Sequence, residues 1–372
     1  MRRKRPTRTS VMVRVLMAAL AVALAAVLVV QLTSVTSGSA SSSSPSSSLS
    51  TSPSFTEEEK PRTHQVMNHE KKKEKEEAAK VSTSDATGED GKVKDAADEI
   101  PALYTYKVVK EYAHDYDAFT QGFLYQEECQ DFFNSIDKSK CKDMFLESTG
   151  LYGKTQVKKV DLLSGETLRS TKAEQRHFGE GLTRWGDQLI QLTWKGPTVL
   201  IYNASDLKLM RESKTDLKDG WGLTNDTEHL IATDSGHNLY FLDPDTLTTT
   251  RKVPVMDGDQ RVNRLNELEH IEGEVWANIW MTNCIARIDP IGGKVKGWIL
   301  ADGLVKREME KNTKLGRLND MDVLNGIAYD PATKRIWLTG KQWSTIYEVQ
   351  IEPTVPHERG YDLSDVRNYC IV

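Results

Sequence analysis

The sequence has few residues of the kinds that bind metals or form crosslinks. Its 372 residues include four cysteines and eight histidines, and no two cysteines form a Cys-x-x-Cys pair. Four cysteines are too few for a disulfide-built scaffold, so core packing must hold the fold together. Five histidines are scattered singly, without the i, i+4 spacing of a helical zinc site: His114, His177, His229, His237 and His270. We therefore expect no zinc-hydrolase site and no cofactor, while a structural cation held by backbone carbonyls stays open.

The chain also lacks an excess of positive charge and, after residue 100, a convincing helical pattern. The formal net charge is −5 and the pI is near 6.0, which argues against a broad cationic surface for nucleic acid. Short apolar segments alternate with polar turns instead of following the 3.6-residue period of a helix. The sequence therefore predicts an all-β fold that binds no nucleic acid.

The longest apolar run lies near the N terminus. Residues 15–30 are rich in alanine and valine, and residues 1–14 carry six basic side chains. The run is near the lower limit of about 17 residues for a bilayer span. We interpret residues 15–32 as a signal anchor, with residues 1–14 in the cytoplasm and the rest of the chain in the lumen of the secretory pathway. Small residues at 37–40 leave a cleaved signal peptide and secretion as the alternative.

A flexible, disordered stalk is predicted between this anchor and the folded part. Residues 41–54 are rich in serine, and residues 71–77 intersperse lysine with glutamate. Such a segment buries too little apolar surface to offset the entropy lost on ordering. We assign residues 33–98 to the stalk, residues 99–358 to a catalytic domain and residues 359–372 to a C-terminal tail.

A short phrase recurs five times, at residues 119–123, 178–183, 220–224, 265–269 and 324–328. Its equivalent positions, taken as Gly122, Gly181, Gly222, Glu267 and Gly326, are 59, 41, 45 and 59 residues apart. Repeats of about 40 to 50 residues with insertions are typical of β-propeller blades. Four copies lead into alternating segments that predict second strands, at 187–194, 228–234, 273–280 and 334–340. The sequence thus predicts a five-bladed β-propeller, with an ordinary β-sandwich as the weaker alternative.

The cysteines and two asparagines fit an oxidising lumen. Cys129 and Cys141 flank a polar loop, and we expect them to pair across it. Cys284 follows a predicted strand and is interpreted as a buried thiol, whereas Cys370 lies near the chain end and has no assignment. Two glycan acceptor sequences lie in or beside predicted turns, at Asn203 and Asn225.

Nine segments match one known family in order, at residues 119–122, 147–153, 178–183, 191–194, 220–224, 265–269, 275–280, 324–330 and 339–341. Together they resemble the plant-type glutaminyl-peptide cyclotransferases, of which the papaya enzyme is the best-known member. The resemblance implies a five-bladed propeller that converts the N-terminal glutamine of a peptide or protein into pyroglutamate and releases ammonia, without a metal. The loop between Cys129 and Cys141 and the long leader depart from a compact plant enzyme.

The resemblance also implies roles for four polar residues. Glu180 is expected to take a proton from the attacking α-amine and pass it to the departing ammonia, with its pKa raised by apolar neighbours. Asn266 and Lys341 match positions that orient or polarise the reacting amide, as a developing oxyanion requires. Gln121 is expected to hold the substrate amide with two hydrogen bonds. Without the resemblance, Glu180 is as well explained by a bond to a turn and Lys341 by a surface charge.

Five aromatic residues are expected to form the pocket walls: Phe119, Phe178, Trp194, Trp221 and Trp280. Such walls exclude water and bind an amino terminus, with a cation–π contribution when it is charged. The alternative is that the tryptophans pack between blades, although Trp280 shares a strand face with the polar Asn278. Glu267 and Glu269 are rival carboxylates that we rank lower, because they more easily bond to backbone groups. Asn325 is interpreted as structural.

Two functions from different classes remain. The first is a glutaminyl cyclase, a single-pass type II membrane protein that acts in the lumen on peptides with N-terminal glutamine. The alternative is a catalytically silent propeller on a stalk that binds peptide or glycan termini. A lactonase-like hydrolase is more distant, since it needs carboxylate and asparagine ligands around calcium. The complete polar set of Gln121, Glu180, Asn266 and Lys341 favours the enzyme.

Overall fold

The structure, a computed structural model, describes residues 100–129, 131–132, 135–136, 140–354 and 362–372. Within these residues the chain is an all-β fold with two helices, as the sequence predicts for the fold class. The predicted cytoplasmic segment, anchor and stalk lie outside the described residues. No helix in the described part of the chain is both long and apolar enough to cross a membrane.

Twenty of the described strands form five antiparallel groups of four, which we call sheets 1 to 5. Sheet 1 comprises β2 (Thr120–Glu128), β5 (Lys142–Thr149), β6 (Gln156–Asp161) and β7 (Thr167–Lys172). Sheet 2 comprises β8 (Gly179–Trp185), β9 (Gln188–Thr193), β10 (Thr198–Asn203) and β11 (Leu209–Lys214). Sheet 3 comprises β12 (Leu223–Asn225), β13 (Leu230–Thr233), β14 (Asn238–Leu242) and β15 (Thr249–Pro254).

Sheets 4 and 5 follow the same pattern. Sheet 4 comprises β18 (Leu265–Ile271), β19 (Glu274–Ile279), β20 (Cys284–Ile288) and β21 (Val295–Leu300). Sheet 5 comprises β22 (Leu324–Asp330), β23 (Arg335–Gly340), β24 (Thr345–Pro353) and β1 (Ala102–Ala113). The four remaining strands form two short hairpins: β3 (Asp131–Phe132) with β4 (Ser135–Ile136), and β16 (Met256–Asp257) with β17 (Gln260–Arg261).

Strand β1 joins the beginning of the folded part to its end. It pairs antiparallel with β24 along most of its length, from Tyr104 opposite Pro353 to Ala113 opposite Thr345. Near its start it also pairs in parallel with β21, where Ala102 lies opposite Gly297. Sheets 4 and 5 therefore form one continuous hydrogen-bonded sheet of eight strands.

The repeated phrase forms the first strands of the five sheets, and its glycines allow these strands to approach closely. The first strands contact one another in chain order, β2 with β8, β8 with β12, β12 with β18 and β18 with β22. The last of them, β22, also contacts β2, which closes the series. A Cβ atom at Gly122, Gly181 or Gly222 would overlap the backbone of the next first strand. The fourth copy has Glu267 instead, whose carboxylate accepts hydrogen bonds from Ile327 N (2.9 Å) and Phe123 N (3.3 Å). Glu267 therefore links sheets 4, 5 and 1.

The core consists of five apolar clusters, one between each pair of neighbouring sheets. Between sheets 5 and 1, for example, the rings of Trp337 and Phe145 meet edge to face with centroids 5.4 Å apart. Each sheet thus has apolar neighbours on both faces. This explains why the second strands are buried along almost their whole length. All four second strands lie where the sequence predicts them.

Two helices follow residue 100, where the sequence shows no convincing helical pattern. Helix α1 (Asp302–Lys314) precedes β22, and α2 (Leu363–Cys370) ends the chain. The buried positions of α1 are Leu304, Glu308 and Asn312, at i, i+4 and i+8. Because two of the three are polar, the helix has no apolar period that a hydrophobic pattern can reveal. The Glu308 carboxylate is bound by Ser344 Oγ (2.7 Å) and Tyr347 Oη (2.6 Å), which hold α1 against sheet 5.

The disulfides confirm one cysteine prediction and correct another. Cys129 and Cys141 are bonded across their loop, as expected. Cys284 is not a thiol but is bonded to Cys370, 86 residues away. No local pattern signals this pair, because packing of α2 on sheet 4 brings the two residues together. Arg367 adds an ion pair to the buried Asp257, so the predicted C-terminal tail contains a helix packed into the folded body.

Candidate active site

The predicted polar and aromatic residues lie where first strands begin and second strands end. In sheets 2, 4 and 5, antiparallel pairing places the last residue of the second strand opposite the beginning of the first strand, as with Thr193 and Gly179. Trp194, Trp280 and Lys341 directly follow these second strands. The residues directly before the repeat's equivalent position lie at the beginning of four first strands, namely Gln121, Glu180, Asn266 and Asn325, while Trp221 lies two residues before β12.

Glu180 is a buried carboxylate at this end of the sheets. Its side chain is 4 % exposed, and its Oε1 accepts a hydrogen bond from Gln121 Nε2 at 3.2 Å. Its backbone carbonyl accepts from Ser148 Oγ at 2.5 Å, and Ser148 Oγ in turn accepts from Gln191 Nε2 at 2.7 Å. Gln191 is fixed by a hydrogen bond from the Tyr202 hydroxyl. This buried chain of hydrogen bonds fixes the backbone that carries Glu180.

The electrostatic setting of Glu180 is that of a buried carboxyl on which one positive and one negative charge act. Burial raises the pKa of Glu180 well above its ordinary value, the positive charge of Lys341 opposes this rise, and the negative charge of Asp219 adds to it. Burial likewise lowers the pKa of Lys341, against the attraction of Glu180 and Asp322. Both groups are therefore held closer to neutrality than they are in water.

The rival carboxylates differ from Glu180 in what they bind. Glu267 accepts from two backbone N–H groups, as described above, and Glu269 Oε1 accepts from Tyr329 N at 3.2 Å. In the described part of the chain, the carboxylate of Glu180 receives no backbone N–H, and its one hydrogen bond comes from Gln121. The expectation that Glu267 and Glu269 bond to backbone groups is confirmed. The carboxylate of Glu180, by contrast, can still accept a hydrogen bond from a ligand.

The five predicted aromatic residues form two groups at the same end. Phe178 contacts Phe119 (6.1 Å between centroids) and Trp194 (5.2 Å), while Trp221 meets Trp280 edge to face at 5.4 Å. All five are partly exposed. Three other tryptophans are fully buried and fill the core: Trp298, Trp337 and Trp343. The predicted aromatic residues thus remain partly accessible, whereas three other tryptophans pack in the core between sheets.

The contacts join all nine predicted site residues. Lys341 Nζ lies 5.1 Å from the ring centroid of Phe119, which connects it to the first aromatic group. Gly181 N, next to Glu180, donates to the carbonyl of Trp221 at 2.7 Å and connects the second group. The Thr233 hydroxyl donates to the carbonyl of Asn266 at 3.1 Å and accepts from Gly222 N at 2.8 Å.

Two buried polar atoms of the site have no hydrogen-bond partner among the described residues. They are the donor Trp221 Nε1 and the acceptor Asn266 Oδ1. Buried polar atoms of folded proteins are nearly always satisfied, so this unpaired donor and acceptor are candidate partners for a polar ligand. By contrast, both ends of the Gln121 amide already have partners, since Oε1 accepts from Asn325 Nδ2 at 3.4 Å.

Sequence reasoning missed two acidic residues that act on the site through their charge. Asp219 stands three residues before Gly222, the position that Phe119 and Phe178 occupy in the first two copies, so alignment of the repeat could have found it. Asp322 lies in the segment between α1 and β22, where its N–H donates to the carbonyl of Lys341 at 3.0 Å. No sequence signal places Asp322 near the site.

Two groups of possible metal ligands include none of the nine predicted catalytic and substrate-binding residues, although His177 of one group directly precedes Phe178. Among the described residues, two groups have His, Cys, Asp or Glu ligand atoms close together: Glu127 with Cys129 and Cys141, and Glu174 with His177 and Glu212. The first contains a disulfide, and the second is paired with Arg176. Neither contains a predicted site residue.

The predicted glycan acceptors also have partners. Asn203 Oδ1 accepts from Ser205 Oγ at 2.6 Å in the turn after β10. Asn225 Nδ2, the atom that a glycan would occupy, donates to Thr183 Oγ1 at 2.9 Å and to the carbonyl of Arg184 at 3.2 Å.

Comparison with known proteins places this arrangement in one family. The family model described as glutamine cyclotransferase matches residues 80–351. A glutaminyl-peptide cyclotransferase of Arabidopsis thaliana is 40% identical over 266 residues, which cover 72% of this chain and 76% of the relative. The crystal structure of Myxococcus xanthus glutaminyl cyclase superposes with a TM-score of 0.59 at 29% identity, over 68% of this chain and 100% of that chain. The chain belongs to the glutamine cyclotransferase family.

Proposed function

We propose that this chain is a glutaminyl-peptide cyclotransferase that converts the N-terminal glutamine of peptides into pyroglutamate and releases ammonia. The observation that carries the proposal is Glu180, a buried carboxylate that no backbone N–H of the described residues binds and on which the positive charge of Lys341 acts. Membership of the family and the likeness to the Arabidopsis enzyme support the same activity.

The reaction is intramolecular, so positioning contributes much of the rate. The α-amino nitrogen of the substrate attacks the side-chain amide carbon, a C–N bond forms, and the bond to the amide nitrogen breaks. One proton leaves the attacking amine and one reaches the departing nitrogen, which leaves as ammonia. Well-oriented intramolecular reactions reach effective molarities of about 10⁵ to 10⁸ M, and the aromatic walls supply that orientation here.

Glu180 is the proposed carrier of this proton. A carboxyl with a raised pKa takes a proton from an amine and returns it more easily than a fully exposed carboxylate does. The charge of Lys341 opposes the rise and so keeps a share of Glu180 ionised for the first step. The hydrogen bond from Gln121 favours the same ionised form.

The unpaired atoms of the site fit the rest of the substrate. The unpaired Trp221 Nε1 is a donor for the oxygen that becomes negative in the tetrahedral intermediate, and the buried Lys341 ammonium is a second donor for it. Asn266 Oδ1 is an acceptor for an N–H of the substrate amine. Gln121 contributes mainly by orienting Glu180, because both ends of its amide have partners.

We interpret the five sheets as the blades of a five-bladed propeller. The ring of contacts among first strands and the apolar clusters between neighbouring sheets support this architecture. So does β1, which completes sheet 5 next to β24 and ties the two ends of the domain together. An experimental structure in which sheets 5 and 1 do not pack on each other would contradict it.

The chain is further proposed to be anchored by residues 15–32 with its folded part in the lumen. Two disulfides among the described residues fit an oxidising compartment. Expression in secretory cells, followed by alkaline extraction of membranes and glycosidase treatment, tests this. A protein that stays with the membrane and changes mobility on deglycosylation is expected, whereas a soluble and unmodified full-length chain would overturn the assignment.

The activity is tested with the purified protein and a short peptide that begins with glutamine. We expect release of ammonia and a product lighter by one ammonia molecule. A matched peptide that begins with asparagine is the control, since its shorter side chain cannot form the five-membered ring. Saturable binding of the glutamine peptide without ammonia release would instead identify a silent receptor.

A further inference from the structure

Asn325 occupies, in the fifth first strand, the position that Gln121 and Glu180 hold in the first and second. It is completely buried. Its Nδ2 donates to the carbonyl of Thr120 at 2.9 Å and to Gln121 Oε1 at 3.4 Å, while its Oδ1 accepts from Glu267 N at 3.4 Å. The backbone carbonyl only accepts and the backbone N–H only donates, so a rotated Asn325 amide would lose both partners. Two neighbouring strands therefore fix its orientation.

The fixed orientation of the Asn325 amide in turn determines the orientation of the Gln121 amide. Gln121 presents its oxygen to Asn325 Nδ2 and its nitrogen to Glu180 Oε1, 3.2 Å away. A rotated Gln121 would place two N–H donors against each other at Asn325 and two oxygens against each other at Glu180. The hydrogen bonds that run from the Thr120 carbonyl through Asn325 and Gln121 to Glu180 therefore form only when both side-chain amides have these orientations.

We propose that Asn325 is a positioning residue, which holds Gln121 so that an N–H donor, and not a carbonyl oxygen, faces Glu180. The inference rests on the proposed function. A donor on a carboxylate stabilises its ionised form, which is the form that accepts the proton of the attacking amine. Asn325 therefore acts on the reaction through Gln121, without touching the substrate.

The charged groups that face Glu180 are separate from this chain of amides. Lys341, after β23, and Asp219, before β12, are the charges that act on Glu180, and Asp322 acts on Lys341. Asn325 forms no hydrogen bond with any of the three in the described part of the chain. Its substitution by a neutral residue leaves these charges in place.

The test is the pH dependence of turnover in Asn325→Leu, which keeps the volume and removes the donor. Loss of a hydrogen bond to a charged group disfavours the ionised carboxylate, so the acidic limb of the kcat profile should move to higher pH by about one to two units. The titration of the substrate amine is the same for every variant, and a difference between variants therefore reports on the enzyme. Asn312→Leu is the matched control, since it replaces another fully buried asparagine, whose side chain bonds to Glu308.

A double-mutant cycle separates positioning from a purely structural role. In the Gln121→Leu background, Asn325→Leu should cause no further shift of the limb, because the amide it orients is gone. If Asn325→Leu does not fold, Asn325→Asp serves instead, since it keeps the acceptor for Glu267 N. The negative charge that Asn325→Asp adds acts on Glu180 whether or not Gln121 is present. Only the part of the shift of the acidic limb that disappears in the Gln121→Leu background is therefore attributed to positioning.

Two outcomes would overturn the inference. One is an unshifted limb in Asn325→Leu with only a lower melting temperature, which identifies a structural link between sheets 5 and 1. The other is an equal shift with and without Gln121. An inactive wild-type protein would instead contradict the proposed function itself.

Discussion

Glu267 is a carboxylate at the position where the other four copies of the repeat have glycine, and its removal should destabilise the fold. In Glu267→Leu, the buried N–H groups of Phe123 and Ile327 lose their acceptor. Each unsatisfied buried group costs about 1 to 3 kcal/mol, so the free energy of unfolding should fall by about 2 to 6 kcal/mol. This is a large share of the roughly 5 to 15 kcal/mol typical of native proteins.

The assay is thermal unfolding by calorimetry or circular dichroism. For a domain of this size about 2 to 4 °C is lost per kcal/mol, so Glu267→Leu should melt many degrees below the wild type. Glu267→Gln should fall between the two, because its oxygen still accepts from Ile327 N, at 2.9 Å the closer donor, while Phe123 N loses its acceptor. A wild-type melting temperature in Glu267→Leu would refute the view that this residue links three sheets.

Two further predictions concern Glu269 and Trp221. Burial raises the pKa of Glu269 to about 8 in the folded protein, so this group favours folding below its unfolded pKa, and that contribution is lost as pH rises toward 8. Glu269→Gln should therefore flatten the decline in stability with rising pH in that window, and an unchanged slope in denaturant unfolding at several pH values would contradict this. Trp221→Phe keeps the aromatic contact with Trp280 but removes the unpaired Nε1 donor, so kcat should fall about 10²-fold at an unchanged melting temperature. Unchanged turnover would exclude Trp221 Nε1 as an oxyanion donor.

Those parts of the fold and of the site that can be predicted from the sequence follow from the repeat. A residue before the equivalent position of the repeat has the same place in each sheet, so the spacing of the repeat is enough to group Gln121, Glu180 and Asn266. The glycines themselves, such as Gly222, are explained by the approach of neighbouring first strands, which a fixed period already implies.

The remaining features depend on contacts between distant segments, which no local pattern records. Helix α1 buries Glu308 and Asn312 and therefore has no apolar stripe. Cys370 reaches Cys284 only because α2 packs on sheet 4. The orientation of Asn325 is set by two backbone groups in other sheets, so its side chain could only be interpreted as structural from the sequence.

The central claim is that Glu180 moves the proton during cyclisation, and a pair of isosteric variants tests it most directly. Glu180→Gln removes the titratable group, and Glu269→Gln makes the same change at a carboxyl that binds backbone. Turnover of a glutamine peptide, followed by ammonia release, should fall by about 10²- to 10⁴-fold in Glu180→Gln and stay near wild type in Glu269→Gln. A folded Glu180→Gln variant with wild-type turnover would contradict the account.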